Sequence, residues 1–207
     1  MALTGLFLIT FLVVHLIGNL QLLKNDGGEA FNIYAEFMTS NPLIKIISYV
    51  LYAFILIHVI WSAILTSRNR ASRGGTGYAM VRNSSHWTSR NMGILGTFIF
   101  IFIVIHMRDF WAVMHWGAIG RVNYDGREVK DLYSVVALAF SQSWYVALYL
   151  VSMLILAFHL WHGFASSFQT LGLNHVKYNG VIRFVGRAFA IIVPAMFAII
   201  PIWMFAM

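Results

Sequence analysis

The stretch Asn91–Met114, NMGILGTFIFIFIVIHMRDFWAVM, decides how the rest of the chain is read. From Gly93 to Ile105 it carries no charged side chain, and then a single histidine, His106, interrupts the apolar run. A helix rises about 1.5 Å per residue, so about 20 such residues cross the hydrocarbon layer of a bilayer. Four further segments have the same character: residues 2–23, 43–67, 143–170 and 182–207. Hydrocarbon offers the backbone no hydrogen-bond partner, so a spanning segment is either a helix or a strand of a closed barrel. Barrel strands read as short alternating stretches, and these runs do not alternate. The expectation is an all-α membrane protein of one domain, residues 1–207, with five transmembrane helices, the first four forming a bundle.

Composition agrees. Of 207 residues 60% are apolar and 10% charged, whereas soluble domains are about a quarter charged. The chain has no cysteine, which excludes disulfides, thiolate-ligated haem and cysteine-held iron–sulfur clusters. The first run is longer than a signal-peptide core and no small-residue cleavage site follows it, so no cleavable signal is expected. Met1 opens directly into apolar sequence with no flanking charge.

The net charge of +7 has a membrane explanation rather than a nucleic-acid one. Arg68, Arg70, Arg73, Arg82 and Arg90, with Lys177, Arg183 and Arg187, fall on one side of the five spans and no acid joins them. The other side holds Lys24, Lys45, Arg108, Arg121, Arg127 and Lys130 against Asp26, Glu29, Glu36, Asp109, Asp125, Glu128 and Asp131. The positive-inside bias puts residues 68–90, 171–181 and the N-terminus in the cytoplasm, and the C-terminus outside. Contact of the basic loop with anionic lipid, or with a docked partner, is a further use of the same charges. Pro194 and Pro201 are expected to bend the fifth helix, because each removes an intrahelical hydrogen bond.

Four of the five runs contain one histidine near the middle: His15, His58, His106 and His159. A single intramembrane histidine is commonly a hydrogen-bonded packing residue, but four invite a metal or a relay. Their depths pair. With helices running alternately outward and inward, His15 and His106 fall about 4–5 Å outside the midplane, and His58 and His159 about 4–5 Å inside it. Two layers of facing imidazoles are what two bis-histidine haems need, since cofactor sites in bundles are built from facing helices. Neutral imidazole is the ligating form and avoids burying a charge. His15 and His106 are thus the expected axial ligands of an outer haem, and His58 and His159 of an inner one. His162, one turn beyond His159, fits depth less well and is a candidate for a propionate contact. Gly18 and Gly163 lie near ligands and could let a flat macrocycle approach, although small residues also serve ordinary helix packing. His86, His115 and His175 sit at or beyond the span ends.

These residues in this order resemble the dihaem cytochrome b membrane anchor of succinate:quinone oxidoreductases, the five-helix b558 family. The resemblance runs over the whole chain. It rests on His15-Leu16 with Asn19, on Gly28-Glu29-Ala30-Phe31-Asn32 continuing to Phe37-Met38 and Pro42, on the surroundings of His58 and His106, and on Phe158-His159 with Gly163, Ser167-Phe168 and Gly172. It implies two haems b with the same pairing, the fourth ligand aligning with His159 rather than His162. It also implies a bacterial cytoplasmic membrane location, a flavoprotein (FAD) subunit and an iron–sulfur subunit docked on the cytoplasmic face, and menaquinone as the membrane substrate of succinate dehydrogenase or fumarate reductase. The succinate site would lie in those partners. Family members begin with a short basic segment that this chain does not show.

A quinone exchanges protons with electrons, so its pocket wants a proton carrier near the membrane edge. Glu29, Glu36 and Asp109 are the outer candidates, though solvated or capping carboxylates are the commoner use of such residues. Arg90 and Ser89, beside Trp87 at the inner start of the third span, are candidates for inner propionate contacts, Arg90 first because guanidinium pairs with carboxylate. Two alternatives are a dihaem anchor of a hydrogenase or formate dehydrogenase, and a haem-free transporter. The spans hold almost no buried acid, which weakens a carboxylate-based relay.

Overall fold

The computed structural model describes residues 1–72, 87–173 and 175–207. Arg73, Arg82 and His86 lie outside the described residues. The chain is mostly helical, and five helical segments are long and apolar enough to cross a membrane: Ala2–Leu23, Pro42–Ala71, Met92–Trp116, Ser143–Thr170 and Val176–Ala206. They begin with α1 (Ala2–Asn19), prolonged by a 3₁₀ turn to Leu23, and α3 (Pro42–Ala71), started by Asn41 and Pro42. The Asn41 side chain accepts from the backbone N–H of Leu43 and Ile44, and proline at the first helical position has no N–H to waste.

The third span is compound. α5 (Met92–His106) passes into a π-helical turn, Met107–Ala112, and finishes as α6 (Val113–Trp116). α8 (Ser143–Thr170) and α9 (Val176–Ala206) complete the set. α9 starts six residues before the expected boundary because His175 caps it, accepting from the Lys177 N–H. It continues as one helix through Pro194 and Pro201. α8 and α9 have the most extensive contact, with the Phe164 ring pressed onto Gly186 where a Cβ would collide with it. α1 packs on α3 and α8, and α5 packs on the same two helices. Little of the spans is buried by protein. In α3 only Leu51 is buried, while Ile46, Tyr49, Ile60 and Trp61 are at least half exposed, as expected of helices whose solvent is lipid.

The first and third connections are structured and meet at one end of the molecule. The first holds α2 (Glu29–Ser40), and the third holds a hairpin of β1 (Arg121–Tyr124) and β2 (Arg127–Lys130) followed by α7 (Leu132–Phe140). Asp125 and Gly126 both have positive φ at the hairpin tip, and Asn123 Oδ1 accepts from the Gly126 N–H at 2.7 Å, the chemistry of a two-residue I′ turn. Asn32, fully buried, locks the two connections together. Its amide donates to Tyr124 Oη (3.1 Å) and Asp131 Oδ1 (3.0 Å), and its carbonyl accepts from the Tyr133 N–H (2.8 Å). Lys130 Nζ donates to the Met114 carbonyl, tying the hairpin to the end of the third span. All seven acidic residues lie in this cap or beside it. The main buried cluster sits just beneath, where Leu22, Phe31, Phe110, Phe140, Tyr145 and Tyr149 meet Ile200 and Met204.

Candidate functional site

Each of the four histidines stands on a different spanning helix: α1, α3, α5 and α8. The structure brings them together in two pairs. The His15 and His106 rings have centroids 5.7 Å apart at 88°, and the His58 and His159 rings 6.4 Å apart at 63°. An imidazole nitrogen sits about 2 Å from a bound metal with its ring centroid about 1 Å behind, so two imidazoles facing one metal have centroids about 6 Å apart. Both pairs match that separation. Members of a pair come from helices that are not principal neighbours: α1 and α5 each pack on α3 and α8.

Hydrogen bonding says which ring nitrogen is engaged. Thr4 donates its single hydroxyl proton to the Met1 carbonyl at 2.9 Å, and the same oxygen lies 3.1 Å from His58 Nδ1. With its proton committed, Thr4 can only accept, so His58 carries its proton on Nδ1 and its Nε2 keeps a lone pair. His106 Nδ1 lies 2.9 Å from Tyr149 Oη. The Asn19 amide donates to the His15 carbonyl at 2.7 Å and lies 3.4–3.5 Å from the His15 ring nitrogens. His159 is different. Its Nδ1 is, among the described residues, the one buried side-chain nitrogen or oxygen without a hydrogen-bond partner. Leaving such an atom unsatisfied costs on the order of 1–3 kcal/mol, and in a native protein it calls for a ligand or a job.

The two levels are lined differently. Around the outer pair, Phe11 stacks on His15 at 5.1 Å, Phe197 lies 5.6 Å from it, and Phe102 and Phe110 flank His106 at 5.8 and 5.4 Å. Beside the inner pair stand two glycines, Gly5 next to His58 and Gly96 next to His159. These, rather than Gly18 and Gly163, are the small residues facing imidazoles. Gly18 receives the Tyr34 ring, which a Cβ would strike, and Gly163 faces the methyl of Met92. Only the packing role suggested for Gly18 is seen. Gly5 and Gly96 were missed because neither is near a histidine in sequence; their helices bring them there.

The remaining candidates are scattered. His162 is half-buried and one turn from His159. Ser89 and Arg90 end the short helix α4 (Trp87–Arg90), with Ser89 half-buried and Arg90 exposed. α4 packs on α8, where Trp87 meets Phe158 edge-on at 5.9 Å, one residue before His159. Asp109 is held on both oxygens. Arg108 donates to it at 2.6 and 3.1 Å, and Tyr145 Oη donates at 2.8 Å. Glu29 lines an open cleft of about 550 Å³ in the cap with Gln21, Asp26, Tyr34, Phe37 and Arg127, whereas Glu36 does not. Tyr34 has its pKa raised by burial, so its hydroxyl keeps its proton and offers a donor to that cleft. His115 bonds the Trp111 carbonyl and stacks on the Trp111 ring, and His175 caps α9.

The chain matches no protein-family model, no curated protein and no solved structure.

Proposed function

We propose that the chain is a dihaem cytochrome b membrane anchor that passes electrons between an iron–sulfur partner and a membrane quinone, in the manner of succinate:quinone oxidoreductases. The observation that carries this reading is the pairing of four intramembrane imidazoles at two levels, each pair about 6 Å apart. His15 and His106 would hold the outer haem b, His58 and His159 the inner one, within a bundle of α1, α3, α5 and α8. The donor set fits. His58 presents a free Nε2, and His159 is not held by a protein partner at its buried Nδ1. Neutral, second-row nitrogen ligands from two sides suit low-spin iron. When bound, the pair of haems supplies one-electron transfer across the layer.

The protein's own residues supply the rest. Thr4 fixes the tautomer of His58. The apolar walls from Phe11, Phe102, Phe110 and Phe197 keep water from the outer pair and set the local dielectric. Arg90 and Ser89, on the short helix that reaches α8 through Trp87 and Phe158, would meet acidic substituents at the inner level. Glu29 in the outer cleft, with Tyr34 as a neighbouring donor, is the best-placed carboxylate to exchange protons with a bound menaquinone. Asp109 is already occupied by Arg108 and Tyr145. The basic inner ends, Arg68, Arg70, Lys177, Arg183 and Arg187, would face the flavoprotein and iron–sulfur subunits.

The test is isolation of the native assembly from membranes with a tag on this chain. A flavin-containing subunit and an iron–sulfur subunit should come with it, and succinate should reduce its b-type absorbance. Recovery of a hydrogenase or formate dehydrogenase subunit instead would transfer the chain to that class. A colourless preparation would end the haem reading altogether.

A further inference from the structure

The outer level carries a feature of its own. From His106 a line of polar groups runs to the molecular edge: His106 Nδ1 lies 2.9 Å from Tyr149 Oη, the Tyr149 and Tyr145 rings lie 5.1 Å apart, Tyr145 donates to Asp109 at 2.8 Å, and Arg108 donates to Asp109 at 2.6 Å. Helix geometry builds it. Tyr145 and Tyr149 are one turn apart on α8 and both buried, and His106 and Asp109 are one turn apart across the start of the π-helical turn. The two helices therefore present matching polar steps in an otherwise apolar contact. π-helical turns are rare and gather at functional sites.

The line has one direction. The Asp109 carboxylate, forked by Arg108, can only accept, so Tyr145 must donate to it. A hydroxyl has one proton. Tyr145 has spent its own on Asp109, and a neutral imidazole that holds a metal through Nε2 carries its proton on Nδ1, so Tyr149 at 2.9 Å would accept from His106. We infer that Tyr149, backed by Tyr145 and Asp109, is a positioning residue that holds His106 as its Nδ1–H tautomer and strengthens its Nε2 as a metal donor. This rests on the haem reading above. Partners of this kind on a ligating histidine fix its ring and raise its basicity. A more basic ligand favours the more oxidised iron, so breaking the line should raise the midpoint potential at the outer level alone.

The experiment is potentiometric titration of the haem-loaded protein, native and with Tyr149→Phe, Tyr145→Phe and Asp109→Asn. The midpoint belonging to His15 and His106 should rise in all three, most with Tyr149→Phe and least with Asp109→Asn. The inner midpoint should stay in place, and Tyr149→Phe combined with Asp109→Asn should move no further than Tyr149→Phe alone, because both break one line. An unmoved outer midpoint, equal movement of both midpoints, or simple additivity would overturn the inference while two haems remain bound. If Tyr149→Phe fails to fold, the other two substitutions decide, since neither touches His106. Native protein without haem would instead sink the function itself.

Discussion

The four imidazoles are chemically alike but differ in what surrounds them, and that difference can be tested residue by residue. Replacing His58 or His159 by alanine should halve the haem bound per chain and leave the outer haem's spectrum intact, and replacing His15 or His106 should do the reverse. The check is the pyridine haemochrome content of each variant; equal loss of both haems, or of neither, would break the pairing. Asn32 makes a structural prediction. Asn32→Ala removes three hydrogen bonds from a fully buried site and should cost about 3 kcal/mol, seen as a lower melting temperature in detergent. Among site residues, the histidine pairs were legible from depth alone, because a helix converts sequence position into height at a fixed rate. The partners Thr4 and Tyr149 were not. Each lies on a different helix from the ring it bonds, and nothing in a single sequence gives the rotation of one helix against another.

At the scale of elements, the spans were legible because lipid demands a long uninterrupted run, and their ends were less so. Pro42, Asn41 and His175 set boundaries through caps, which act outside the apolar run itself. The structure of the outer cap was not legible because its pieces are short and depend on distant partners: α2 and α7 hold through Asn32 and through Asp131, which accepts from Ser134 Oγ and N–H. Burial pushes the Asp131 carboxyl up, but the hydrogen bonds from Ser134 and Asn32 outweigh it and hold its pKa below the ordinary 3.8. A lowered folded-state value means stability that is present above the ordinary value and lost as pH falls through the lowered one. Protection of the Leu132–Phe140 amides from exchange, corrected for intrinsic rate, should thus be flat from neutral pH down to about 4 and fall below it. Asp131→Asn, still a good cap, should remove that acid dependence. Gly28 caps α2 at φ +87° beneath the Tyr133 ring, onto which a Cβ would run. Gly28→Ala should therefore destabilise the cap by at least about 1 kcal/mol, read as faster exchange of the α2 amides.

For the whole molecule, the proposed sidedness rests on charge: the described basic ends of α3, α4 and α9 lie at one end and all seven acids at the other. The joining of the first and third connections through Asn32 agrees with spans that alternate in direction. Because the chain has no cysteine, single cysteines report topology without background. Asn123→Cys in the hairpin should react with a membrane-impermeant maleimide in intact cells, and Leu173→Cys only after permeabilisation; the opposite pattern would invert the proposed orientation. What most directly tests the central proposal is the reduced-minus-oxidised spectrum of the purified chain together with its haem count. Two low-spin b haems per polypeptide are predicted, and a protein without a haem band, or one that binds a single haem untouched by loss of His58 or His159, would contradict it.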